Sequence, residues 1–305
     1  MRGVGLFLWA LAAGAQDGDP ARWHQTLSPH FDIQHEAAFA PAGLTLSLEK
    51  LHNRLRLDLS MFAPWMAKER MKLYVYAGQP TFLRGRFKPP SWSNGVAYYE
   101  LRTVVTYWGQ GPKVYDVLGH ETTHLLFEGW WGEVGKTPPV WLNEGLAMLE
   151  ETGEAGADKS DWQSALDNLD PAEYLPFKRF AEIVPTRDLK GDKGRVTIWY
   201  AQAYGTVRLL YKSRQRMQFF NFCNQLRDGK ALEDALWKVY RIRGYAGLEK
   251  EFRASLKRRP GTGARLAPEP SASAPPPKGG VPRTLKQVGF GAGGFKGLVP
   301  DSDSR

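Results

Sequence analysis

His120-Glu121-Thr122-Thr123-His124 sets two imidazoles four positions apart, with a carboxylate beside the first. In a helix four residues advance the chain by about 400°, so both rings project from one face and can share a single metal ion. Glu121 falls next to that face, where a carboxylate can take a proton from metal-activated water without being a ligand. The competing reading is a helix whose histidines are satisfied by core hydrogen bonds, because spacing alone does not establish zinc.

A hydrolytic zinc uses three protein ligands and keeps one position open. Glu128 continues the same face past His124, but a straight helix cannot wrap three turns around bonds of about 2 Å. The HExxHxxGxxH scheme also fails, since its glycine and third histidine are replaced by Phe127 and Trp130. Glu144, in Trp141-Leu142-Asn143-Glu144-Gly145-Leu146-Ala147, is the better candidate, with nineteen residues between it and His124. That separation lets one helix stop at Gly129, the chain reverse, and a second helix pack antiparallel. Flanked by Leu142, Leu146 and Met148, Glu144 would be a costly buried charge, and a cation removes the difficulty.

The elements that must hold these residues run strands first, helices second. Residues 30–36 and 71–77 have strand composition, and residues 43–59 carry Leu44, Leu48, Leu51, Leu55 and Leu59 at helical spacing. A Pro- and Gly-containing connection over 79–95 precedes residues 96–99 and 101–107, one long strand or a bent pair. Helices are expected over 112–128, 138–149, 161–169, 196–211, 231–240 and 248–257.

HExxH followed by WLNEGLA resembles the gluzincin metallopeptidases, above all the bacterial peptidase-MA-like domains. The likeness is strongest over residues 116–150 and looser from about 31 to 210. It implies an α+β fold with a thermolysin-like zincin core: a small N-terminal mixed sheet whose last strand edges the cleft, and a mostly helical C-terminal half. It also implies one Zn2+ ion held by His120, His124 and Glu144, Glu121 as general base, and a peptide or protein substrate. In the aminopeptidase branch a tyrosine on a later helix steadies the oxyanion, which by similarity selects Tyr200, with Tyr204 one turn on in reserve. The GxMEN segment that holds a substrate amine there is absent, and the region reads Gly95-Val96-Ala97-Tyr98-Tyr99-Glu100. This favours an endopeptidase over an aminopeptidase, with Tyr98, Tyr99 and Glu100 lining a strand that could bind extended peptide by β-augmentation. Asn143 and Asp116 are candidates for orienting the ligands, Asp116 being equally suited to a helix start. The rival from another class is a zinc-stabilised protein that binds peptides or envelope components without cutting them.

Composition bounds the rest. The 305 residues are 42% hydrophobic and 24% charged, an ordinary globular balance that excludes disordered and collagen-like classes. Arg2, the apolar run over 4–13 and Ala13-Gly14-Ala15 read as a signal peptide over residues 1–15, predicting a secreted or periplasmic protein without stable membrane insertion after cleavage. An α/β part over 16–111, a helical zinc-binding part over 112–259 and a disordered Pro/Gly-rich tail over 260–305 complete the division. The single cysteine, Cys223, sits among apolar neighbours and reads as a buried inert thiol. The net charge of +9 is scattered, with no nucleic-acid module, so no nucleic-acid partner is expected. His24, His30, His35 and His52 have no ligand spacing and are expected to pack or lie at the surface.

Overall fold

In Phe31–His35 every second side chain is buried, as a strand with one covered face requires. The computed structural model describes residues 22–257; the expected signal and the tail over 260–305 lie outside them. In chain order the elements are β1 (His24–Leu27), β2 (Phe31–His35), α1 (Leu44–Leu59), β3 (Met71–Tyr76), α2 (Gln79–Arg84), β4 (Gly95–Tyr98), β5 (Thr103–Tyr107) and α3 (Val114–Gly132). They continue through α4 (Val140–Gly156), α5 (Asp161–Asn168), α6 (Phe177–Glu182), α7 (Pro185–Asp188), α8 (Lys193–Leu210), α9 (Arg216–Arg227), α10 (Leu232–Tyr240) and α11 (Gly244–Lys257).

The sheet is mixed, in the order β1-β2-β3-β5-β4. Strands β2, β3 and β5 are parallel, and β1 and β4 pair antiparallel on the two flanks. The bent pair expected around residue 100 is thus a hairpin through a single 3-10 turn at Tyr99–Leu101. The edge strands are β1 and β4, while β5, last in sequence and expected at the edge, lies inside the sheet. Thr103–Tyr107 is buried throughout, as befits a strand covered on both faces.

One face of the sheet carries α1 and α3, and α4 and α8 stack beyond α3. The sequence 141–150 is buried at every position, the signature of a helix enclosed on all sides. Its packing against α8 depends on Gly145: a Cβ there would lie 2.5 Å from the Ala203 carbonyl oxygen and 2.5 Å from Val207 Cγ2. Helix α4 is regular until Gly153, whose φ of 68° breaks it.

Three expectations need correction. Gly129 does not stop α3, which continues to Gly132; it is Gly132 that gives room to the Tyr99 ring, where a Cβ would come within 2.7 Å of it. The connection over 79–95 contains α2, begun by Pro80 in its first turn and pinned by buried Phe82. Helices α6, α7 and α9 have no counterpart among the expected helices, and α9 buries Phe219, Phe222 and Cys223. Cys223 is a free, buried thiol as expected.

Candidate metal centre and active site

Helix α3 brings His120 Nε2 and His124 Nε2 to 3.0 Å from one another, the rings set at 79°. Across the helix pair, Glu144 Oε2 lies 3.8 Å from the first and 4.0 Å from the second. A point equidistant from the three atoms is about 2.1 Å from each, the length of bonds from a zinc-sized ion to nitrogen and oxygen. Burial depresses both imidazoles to about 4, keeping them neutral and able to ligate, and pushes the Glu144 carboxyl well above the usual range. Glu144 Oε2 is buried and accepts no hydrogen bond. A divalent cation supplies what this oxygen lacks, so the donor set fits a metal on its own chemistry.

A second layer fixes the rings. Glu151 Oε1 lies 2.9 Å from His120 Nδ1, and Trp162 Nε1 donates to Glu151 Oε2 at 2.9 Å. With Glu151 ionised, His120 Nδ1 carries the proton and Nε2 is left bare for an ion. Sequence reasoning misses Glu151, although it stands seven residues after Glu144, two turns along the same helix face. Asn143 Nδ2 donates to Glu128 Oε1 at 2.6 Å, and that oxygen is 3.7 Å from His124 Nδ1. Asn143 also favours a proton on His124, though neither Asn143 Oδ1 nor His124 Nδ1 makes a bond of normal geometry. Asp116 makes no hydrogen bond to His120; burial first, then the charge of Glu151, raises its carboxyl to about 6.

Glu121 is buried beside the two histidines. Burial, with the charges of Glu128 and Glu151, raises its carboxyl to about 8, the backbone N–H of Ala97 acting in the opposite sense. The Ala97 N–H lies in the edge strand β4, which thereby approaches the Glu121 carboxyl. The approach requires Gly95, where a Cβ would lie 2.7 Å from Glu121 Cγ and 2.8 Å from Val117 Cγ1. No pattern in the sequence marks Gly95 or Ala97 as a residue that holds the base.

Tyr200 is buried, its ring 6.0 Å from that of Trp162, and its hydroxyl is raised by burial and then by the charge of Glu144. It therefore stands on the Glu144 side of the site. The Tyr204 hydroxyl is committed to the core, donating to the Ala157 carbonyl at 3.0 Å and lying 3.0 Å from Ser160 Oγ. Tyr98 donates to the Phe87 carbonyl at 2.8 Å, Tyr99 packs on α3, and Glu100 is exposed at the hairpin turn. Elsewhere, His30 and His52 meet Glu49, with His30 Nδ1 2.6 Å from Glu49 Oε2. Their rings are stacked at 3.7 Å and 12°, and parallel rings cannot turn both lone pairs toward one ion. His24 and His35 likewise stack, 5.9 Å apart.

A mixed sheet with a flanking antiparallel edge strand, an HExxH helix beneath it and a glutamate on the next helix define a metallopeptidase of zincin-like fold. The chain belongs to the Peptidase MA superfamily, whose family model matches residues 58–258. No curated protein matches the chain. Among the described residues no helix is long and apolar enough to cross a membrane.

Proposed function

We propose that this metallopeptidase is a zinc-dependent endopeptidase of the cell exterior or periplasm. The observation that carries the reading is the unpartnered, buried Glu144 Oε2 within ligand reach of two neutral imidazoles. His120, His124 and Glu144 would hold the ion. When bound, zinc polarises the scissile carbonyl and lowers the pKa of water at the open position. Glu121 receives the proton of the attacking water and delivers it to the leaving amine, its side chain packed beneath Gly95 of β4. Tyr200, on the Glu144 side, donates its phenolic proton in a hydrogen bond to the developing oxyanion. Glu151 and Trp162 keep His120 in one tautomer and orientation.

Endopeptidase action is supported by β4, an edge strand along which an extended peptide can pair, and by the missing GxMEN segment. Export is supported by the apolar run over 4–13 with Ala13-Gly14-Ala15 after it. The test is metal analysis with cleavage of a mixed peptide library, products mapped by mass spectrometry. Stoichiometric zinc, chelator-sensitive cleavage within blocked peptides, and loss of cleavage without loss of zinc in Glu121→Gln are expected. Normal cleavage by Glu121→Gln would overturn the mechanism, and zinc without turnover would favour a binding protein.

A further inference from the structure

Glu151 can orient the His120 ring only if α4 runs close to α3 at the level of that acid. The two helices do meet at Gly119, the residue before His120: a Cβ there would lie 2.7 Å from the Glu150 carbonyl oxygen and 3.3 Å from Glu151 Cα. A side chain at 119 would drive them apart, so glycine permits the approach, but it does not hold it. Just beyond, the φ of 68° at Gly153 takes the chain out of the helix. Carbonyls in the turn before such a break need donors from outside the helix.

A third helix supplies one. Arg54, on α1, reaches into the joint between α3 and α4, and its Nη2 donates to the Glu150 carbonyl. A Cβ at Gly153 would lie 2.8 Å from Arg54 Cδ, and a Cβ at Gly119 would lie 3.2 Å from Arg54 Nη2. Two glycines, one on each helix, thus make the space that this side chain fills. Arg54 Nε stands 3.8 Å from Oε2 of the fully buried Glu150 side chain, an ion pair too long for a hydrogen bond. A residue placed there only to neutralise that carboxylate would bond it, whereas Arg54 bonds the main chain. Arginine's planar fork allows this while its charge stays beside the buried acid.

We propose that Arg54 is a positioning residue of the metal site: by fastening the Glu150 carbonyl to α1, in the notch beside Gly119, it sets Glu151 within reach of His120 Nδ1. Glu150 and Glu151 are neighbours in the chain, so a shift of that carbonyl carries Glu151 with it. The 2.9 Å contact between Glu151 Oε1 and His120 Nδ1 has little slack to absorb such a shift. This rests on the zinc-peptidase reading and adds to it a residue from outside the α3 and α4 pair.

The test is zinc affinity of the full chain, read by competition against a chromophoric chelator. Removing Arg54 alone strands a buried carboxylate and endangers the fold, so the reference is Glu150→Gln, which keeps the carbonyl and the bond from Arg54 to it. In that background Arg54→Met is expected to weaken zinc binding about tenfold. With Glu151→Ala added, the same Arg54→Met change is expected to cost under about twofold, because the residue it acts through is gone. Should the Arg54→Met protein fail to fold, Arg54→Lys keeps a cation beside Glu150 without the fork and carries the same comparison, again with a loss that Glu151→Ala abolishes. Cobalt(II) in place of zinc adds a spectroscopic reading, in which the visible bands of Arg54→Met and Glu151→Ala are expected to move the same way. An unchanged zinc Kd, or a loss that persists in full beside Glu151→Ala as general structural support would give, overturns the proposal. Zinc bound without cleavage of any peptide overturns the peptidase reading alone, and the Kd ratios still decide Arg54. A chain that takes up no zinc overturns both.

Discussion

Glu151→Gln separates the metal ligands from the residues that aim them. Glu151 lies half-buried between two donors, His120 Nδ1 at 2.9 Å and Trp162 Nε1 at 2.9 Å. A carboxylate accepts from both, whereas an amide has one accepting oxygen and turns an N–H against the other donor. One charge-assisted contact is therefore lost and the surviving one becomes neutral, worth about 1.5 kcal/mol together, or about tenfold in zinc Kd. Glu151→Ala removes both contacts and should approach a hundredfold. Competition against a chromophoric chelator reads these values directly, and circular dichroism checks that the fold survives. Combining Glu151→Gln with Trp162→Phe removes the opposed donor and should recover part of the loss, a non-additivity expected only if the three side chains act as a chain. A zinc Kd within twofold of the unaltered protein in both Glu151→Gln and Glu151→Ala would refute the reasoning.

Three further outcomes follow from the same geometry. Gly95→Ala introduces a methyl 2.7 Å from Glu121 Cγ, so β4 must shift; a cost of about 1–3 kcal/mol in stability and a fall in kcat with zinc still bound are expected in melting curves and rate assays, and an unchanged kcat would detach β4 from the base. Tyr200→Phe should lower kcat by about 10²–10³ with zinc affinity unchanged, and normal turnover would leave Tyr200 a packing residue. In metal-free protein Glu121 and Glu151, raised to about 8, contribute stability that is full below about 4.5 and lost as pH rises to about 8, because they keep protons that the unfolded chain has released. His120 and His124, depressed to about 4, act in the opposite sense: their contribution is full above about 6.5 and lost as pH falls toward 4. Above pH 6.5 only the carboxyls remain, so the melting temperature should drop between pH 6.5 and 8 without metal. With zinc bound that drop should vanish, since the ion keeps the carboxyls ionised, and calorimetry in buffers of different ionisation heat should record proton release on zinc uptake at pH 7; equal slopes with and without zinc would count against these shifts.

What the sequence displays and what it hides divides along contact range. His120, Glu121 and His124 are legible because helical pitch alone sets their relation, and Glu144 because an acid inside WLNEGLA has no inexpensive explanation without a cation. Glu151 and Trp162 are legible only in part: the spacing from Glu144 shows the face, but α5 must pack on α4 before the indole reaches the carboxylate. Glycine is the hardest residue to read, since one letter serves several physical needs. Gly129 has the place of a helix stop, yet it lies inside α3, and Gly132 three residues on sits under the Tyr99 ring. Gly95 has the composition of a strand start, yet it is the clearance that lets Ala97 reach Glu121. Gly95 and Gly132 answer to the same packing of the β4 hairpin against α3. The proposed general base is thus positioned by that interface, so a substitution that loosens it should impair turnover while leaving the His120-His124-Glu144 triad, built between α3 and α4, able to bind its ion.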